Sequence, residues 1–157
     1  MIRMLSESAC KQIQDLISKY PQKRSALIPS LHLVQKELGY IPQDTMREVA
    51  EIFGISPNEV HEVTSFYTML HRYPVGKYVI QVCTNISCQL CNAEGIMAHL
   101  TQKLGIKPGE TSPDKKYTLV EVECLGSCGT SPVVQINDDY YEELTPEKLD
   151  KILDSLE

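Results

Sequence analysis

The sequence predicts an α+β protein: a four-helix unit over residues 1–75, followed by a β-α-β-β-β-α domain over residues 76–157. Two observations carry that division. The hydrophobic period is helical up to Tyr73-Pro74-Val75-Gly76 and alternating just beyond it. Charge and cysteine divide at the same place. Residues 1–75 carry eight basic and eight acidic side chains, whereas residues 76–157 carry seven and thirteen, so the net charge of −6 lies wholly in the second part. Five of the six cysteines lie there too.

In the first part, Ile13, Leu16, Ile17 and Tyr20 recur at i, i+3, i+4, i+7 and form one apolar stripe, ended by Pro21. Cys10 falls on that stripe and reads as a small buried hydrophobe. A second helix carries Leu31, Val34 and Leu38, tolerates Pro29 only in its first turn and stops at Gly39. A third runs from about Pro42 to Phe53 and stops at Gly54. The fourth begins at Ser56-Pro57-Asn58-Glu59, where Ser56 can cap, Pro57 fits the first helical position and Glu59 completes a capping box. Val60, Val63, Tyr67 and Leu70 mark its buried face. Short linkers imply a small antiparallel or orthogonal helical unit.

In the second part, Tyr78, Ile80 and Val82 alternate in a strand that delivers Cys83. A helix from about Ala93 to Leu104 turns Ile96, Met97, Leu100 and Leu104 inward and stops at Gly105. Tyr117, Leu119, Val120 and Val122 form a strand that delivers Cys124. Val133, Val134 and Ile136 form a third strand, and Asn137-Asp138-Asp139 turns into a fourth at Tyr140-Tyr141. Thr145-Pro146-Glu147 starts a last helix with Leu149, Ile152, Leu153 and Leu156. This order is compatible with a small thioredoxin-like sheet.

Several functions are excluded. No apolar run approaches the ~20 residues that cross a bilayer, so no direct membrane insertion is expected. The start MIRMLSESACK lacks the apolar segment of a secretory signal. An intracellular location is therefore expected, where clustered cysteines bind metal or do redox work more often than they form disulfides. The acidic second part argues against nucleic acid. There is no G-x-G-x-x-G, Walker loop or G-x-S-x-G, and no side chains are candidates for bond-making catalysis.

The chemistry lies in two segments, VCTNISCQLC with Cys83, Cys88 and Cys91, and ECLGSCG with Cys124 and Cys128. Each follows a strand, where the chain can leave the sheet to wrap a ligand. A [2Fe-2S] cluster needs four thiolates, two per iron, and the pairs Cys83/Cys88 and Cys124/Cys128 supply them symmetrically. Gly126 and Gly129 let the second segment turn and bring amides near an anionic centre. Other assignments share the spacing. Cys83, Cys88, Cys91 and Cys124 fit the plant-type ferredoxin pattern, which leaves Cys128 over. Cys88-Gln89-Leu90-Cys91 fits a redox dithiol, and four cysteines fit structural zinc. A Rieske centre needs two histidine ligands; His32, His61 and His71 lie far from the cysteine segments, and His99 belongs to a helix.

Over about Ser25 to Leu156, the segments SALIPSLHLVQKELGYIP, EVTSFYTML, VCTNISC and ECLGSCGTSPVVQINDDYYEELTPEKL resemble the thioredoxin-like [2Fe-2S] subunits of respiratory complex I, the NuoE or 24-kilodalton type. Relatives of that type serve NAD-linked hydrogenases and formate dehydrogenases. The resemblance implies one [2Fe-2S] cluster held by Cys83, Cys88, Cys124 and Cys128, with Cys10 and Cys91 as non-ligands. Cys91 stands where the family has a small residue. The resemblance also implies a NuoF-like flavoprotein partner that holds FMN and oxidises NADH, and further iron–sulfur subunits of the complex. It places the chain in the cytoplasm, peripheral to the inner face of the membrane through the complex. The amides around Thr84-Asn85 and Leu125-Gly126-Ser127 are expected to stabilise the cluster's negative charge, and the helical part to dock the partner.

Overall fold

A computed structural model describes residues 4–156. The chain separates into two compact units, with the division between Pro74 and Val75. Among the described residues, the first contains four α-helices: α1 (Glu7–Ser18), α2 (Leu27–Leu38), α3 (Gln43–Phe53) and α4 (Pro57–Phe66). A 3-10 turn, Lys23–Ala26, precedes α2.

Local chemistry sets each helix end. Ser6 caps α1 by accepting the Ala9 N–H, and Gly39 and Gly54 close α2 and α3 in the left-handed region. Ser56 and Glu59 form a complete capping box at α4, with Pro57 in the first turn. The unit's core gathers Ile13, Leu31, Val34, Ile41, Val49 and Val60, all fully buried, with Cys10 among them. Buried Cys10 thus packs as the small hydrophobe its place on the stripe implies. Glu48 is nearly buried, and its carboxylate accepts the N–H groups of Met4 (2.6 Å) and Leu5 (3.2 Å), tying the start of the described chain to α3.

Two edges of the expected stripes fall differently. Tyr20 lies beyond the end of α1 and is 37% exposed, because the helix closes at Ser18 two residues earlier. Helix α4 ends at Phe66, so Leu70 reaches the core from the following turn, not from the helix face.

The second unit is built on a four-stranded sheet in the order β2-β1-β3-β4, with β1 (Tyr78–Cys83), β2 (Tyr117–Val122), β3 (Val134–Ile136) and β4 (Asp139–Tyr141). Strands β1 and β2 are parallel, and β3 pairs antiparallel with both β1 and β4. This mixed α+β arrangement is the expected one. Between β1 and β2 lie α5 (Ile86–Leu90) and α6 (Ala93–Leu104), and α7 (Pro146–Ser155) follows β4. Ile80, Leu119, Leu100 and Leu149 are fully buried at the centre of its core. The side chain of Asn137, the first residue of the β3–β4 turn, accepts the Val79 N–H and donates to the Lys77 carbonyl. The hairpin is thereby fixed to β1 at its turn as well as along its ladder.

Candidate metal centre

Parallel pairing decides where the cysteines go. Cys83, the last residue of β1, stands opposite Val122, the last residue of β2, so both cysteine segments leave the same end of the sheet. Open α/β sheets commonly gather their functional groups at the carboxyl ends of parallel strands. Two further bonds hold this end together: the Cys83 N–H donates to the Val133 carbonyl at 3.2 Å, and the Thr84 N–H to the Val122 carbonyl at 3.0 Å.

After Cys83 the chain does not form an open loop. Asn85 caps the five-residue α5 by accepting the Ile86 N–H, and Cys88 sits inside that helix. Cys83 and Cys88 are 2% and 1% exposed and pack with Ala93, Val133 and Leu125. Cys91 ends the helix on the surface, its N–H bonded back to the carbonyls of Ser87 and Cys88. Cys124 and Cys128 are exposed, and Cys128 opens a 3-10 turn, Cys128–Thr130, that packs against α5. Among the described residues, no disulfide joins any of the six cysteines.

Ser131, which the sequence did not single out, links the two segments. Its hydroxyl oxygen lies 3.4 Å from the Cys88 sulfur and donates to the Cys128 carbonyl at 3.0 Å. The Cys88 thiol donates to that oxygen, and with a thiolate at Cys88 the single Ser131 proton would have to turn from the Cys128 carbonyl to reach sulfur.

On the backbone side, one amide meets a cysteine sulfur among the described residues. The Gly126 N–H donates to the Cys124 sulfur at 3.3 Å. Gly126 has φ of +77°, a left-handed conformation that glycine adopts without steric penalty. Gly129 is not in that region. The Thr84 amide is committed to the β2 ladder and does not donate to sulfur.

The second segment is braced from β4. The Tyr140 hydroxyl donates to the Leu125 carbonyl at 3.1 Å. The Glu142 carboxylate accepts from the Ser127 hydroxyl and, at 2.7 Å, from the Thr130 hydroxyl. These hydroxyls, Ser127 foremost, hold the Glu142 carboxyl below its ordinary value.

The donor set fits a binuclear iron–sulfur group. Four thiols in two pairs leave one end of one sheet, two of them buried among apolar side chains, with an amide already on one sulfur. Among the described residues, no three His, Cys, Asp or Glu side chains converge as a site for a single metal ion. Two thiolates per iron do not require such convergence.

Comparison with known proteins agrees with this chemistry. The sequence profile of the family described as thioredoxin-like [2Fe-2S] ferredoxin matches residues 13–157. The chain is 43% identical over 145 residues to an E-type component of the NADH-quinone oxidoreductase of Rhizobium meliloti, covering 92% of this chain and 86% of that protein. It is 48% identical over 146 residues to the corresponding E-type component of the NADH-quinone oxidoreductase of Rickettsia bellii, covering 91% and 87%. Among solved structures, a NAD+-reducing [NiFe]-hydrogenase in the air-oxidised state matches with a TM-score of 0.73 and 21% identity. That match covers 83% of this chain and 22% of the hydrogenase chain, and it bears on the fold alone. The chain belongs to the thioredoxin-like [2Fe-2S] ferredoxin family, as a homologue of the E-type components of NADH-quinone oxidoreductase.

Proposed function

We propose that Cys83, Cys88, Cys124 and Cys128 hold the family's [2Fe-2S] cluster, and that the chain exchanges single electrons with the FMN of a NADH-oxidising, NuoF-like flavoprotein subunit in NADH:quinone oxidoreductase. The observation that carries this reading is the departure of both cysteine pairs from one end of the parallel strands β1 and β2. Identity of 43% and 48% to E-type components over nearly their whole length supports the assignment to that complex.

When bound, the cluster supplies a one-electron couple. The chain supplies everything that sets its environment. Cys83 and Cys88 would hold the cluster from its buried side, among the apolar Ala93, Val133 and Leu125. Cys124 and Cys128 would hold it from the exposed side, where a partner's redox group could approach. The Gly126 amide donates to the Cys124 sulfur and would stabilise negative charge there, which would tune the potential of a bound cluster. At one electron, about 59 mV is tenfold in the equilibrium, so one such bond matters.

The helical unit, residues 1–74, carries no cysteine segment of this kind, and we assign it to docking on the flavoprotein. No helix among the described residues is long and apolar enough to cross a membrane. The chain then reaches the inner face of the membrane from the cytoplasm, through the other iron–sulfur subunits of the complex. Anaerobic co-purification from the native host tests the reading. Recovery with an FMN-bearing, NADH-oxidising protein and quinone-reducing partners is expected. Recovery with the large component of a hydrogenase or formate dehydrogenase instead would contradict the assignment to this complex.

A further inference from the structure

The segment carrying Cys124 and Cys128 has little packing of its own. Both cysteines are exposed, and a Cβ built on Gly126 or Gly129 would meet no atom within 4 Å. Besides Leu125, which packs with Cys83 and Cys88, and the contact of the Cys128 turn with α5, hydrogen bonds from one neighbouring element hold it. That element is the β3–β4 hairpin and the residues just after it. Tyr140 holds the Leu125 carbonyl, Glu142 holds the hydroxyls of Ser127 and Thr130, and the Glu143 N–H donates to the Thr130 carbonyl at 2.8 Å. The hairpin is a rigid base, since β4 pairs with β3 in register Val134↔Tyr141, and β3 pairs with β1.

Glu142 is the pivotal group in this brace. One carboxylate oxygen accepts from both Ser127 and Thr130, residues that flank Cys128 on either side. Ser127 also adjoins Gly126, whose amide sits on the Cys124 sulfur. A small movement of Ser127 therefore moves both the Cys128 ligand and the amide donor to Cys124. Electron transfer itself calls on neither Glu142 nor Tyr140, and their separation in sequence from the cysteines hides the connection.

We propose that Glu142 is a positioning residue that fixes the Cys124–Cys128 segment through Ser127 and Thr130, and thereby sets both the hold on the cluster and its midpoint potential. This rests on the assignment of Cys124 and Cys128 as ligands. The carboxylate acts as a hydrogen-bond acceptor, with its charge secondary. Glutamine keeps an acceptor oxygen at the same reach, whereas alanine removes it.

The test uses the full chain, purified anaerobically with its cluster, as wild type, Glu142→Gln and Glu142→Ala. Iron release to a ferrous chelator, the midpoint potential and the spectrum of the reduced cluster are measured, with circular dichroism as the check on folding. Glu142→Ala is expected to release iron about tenfold faster, the lower end of what removing an outer-shell partner usually does, with a shifted midpoint and broadened spectrum. Glu142→Gln is expected to stay near wild type in all three. Equal effects of Gln and Ala would make charge the cause and overturn the proposal, as would wild-type behaviour of Glu142→Ala. A Cys124→Ser protein that keeps full iron and sulfide would instead overturn the ligand assignment beneath it, and that outcome is read independently of Glu142.

Discussion

Cys88 and Cys91 are three residues apart at one short helix, yet their surroundings differ completely. Cys88 is 1% exposed and packs with Cys83, while Cys91 faces solvent at the helix end. Cys91→Ser is therefore expected to keep iron and sulfide and Cys88→Ser to lose both, by metal analysis of anaerobic preparations. If serine at 91 bleaches the protein and serine at 128 does not, the plant-type pattern is the right one. Gly126 gives a second residue-scale prediction. A side chain there meets open space, so the penalty for Gly126→Val is in the backbone, about 1–2 kcal/mol for a left-handed φ. Relief of that strain turns the amide away from Cys124, and a redox titration should show a shifted midpoint; an unchanged titration contradicts the role of this bond. The place of the cysteine segments at strand ends was legible because each follows a short apolar-rich strand. Ser131 and Glu142 were not, because their partners lie 43 and 15 residues away along the chain, at Cys88 and Ser127.

At the scale of elements, local chemistry determines what could be read in advance. The capping box at Ser56 and Glu59 needs only four consecutive residues, and it forms as written. Ser56→Ala should lower stability by about 1 kcal/mol in urea unfolding, the usual loss for a capping hydroxyl. Helix α5 was not legible because five residues are too few to show a 3.6-residue period, and tertiary packing is what stabilises it. The 3-10 turn at Cys128 is shorter still. Helices α6 and α7 are joined by Asp150, whose carboxylate accepts from Lys103 at 2.8 Å and lies 2.7 Å from His99 Nε2. The Lys103 bond first, and then His99, hold the Asp150 carboxyl below its ordinary value of 3.8. A depressed folded value stabilises the protein above the unfolded value and loses that contribution as pH falls through the folded one. The advantage of wild type over Asp150→Asn in urea unfolding should thus shrink as pH falls below about 3.8. An advantage that grows as pH falls below that value would contradict the pairing.

For the whole molecule, two hydrophobic cores stand on either side of Pro74 in the chain, one helical and one built on the sheet. The change of period at that point was visible because 3.6 and 2 are easily told apart over long segments. Strand order was not, since the antiparallel β3 beside β1 depends on pairing between distant segments. With docking assigned to the helical unit, a chain lacking residues 1–74 should fail to co-purify with the flavoprotein while its iron content per chain stays unchanged. Undiminished co-purification would reject docking by that unit. The most direct test of the central claim is metal and acid-labile sulfide analysis of the wild-type chain, purified anaerobically from cells competent in cluster assembly. One [2Fe-2S] cluster predicts two iron and two sulfide per chain in a red-brown protein. A colourless protein holding zinc without sulfide would contradict it.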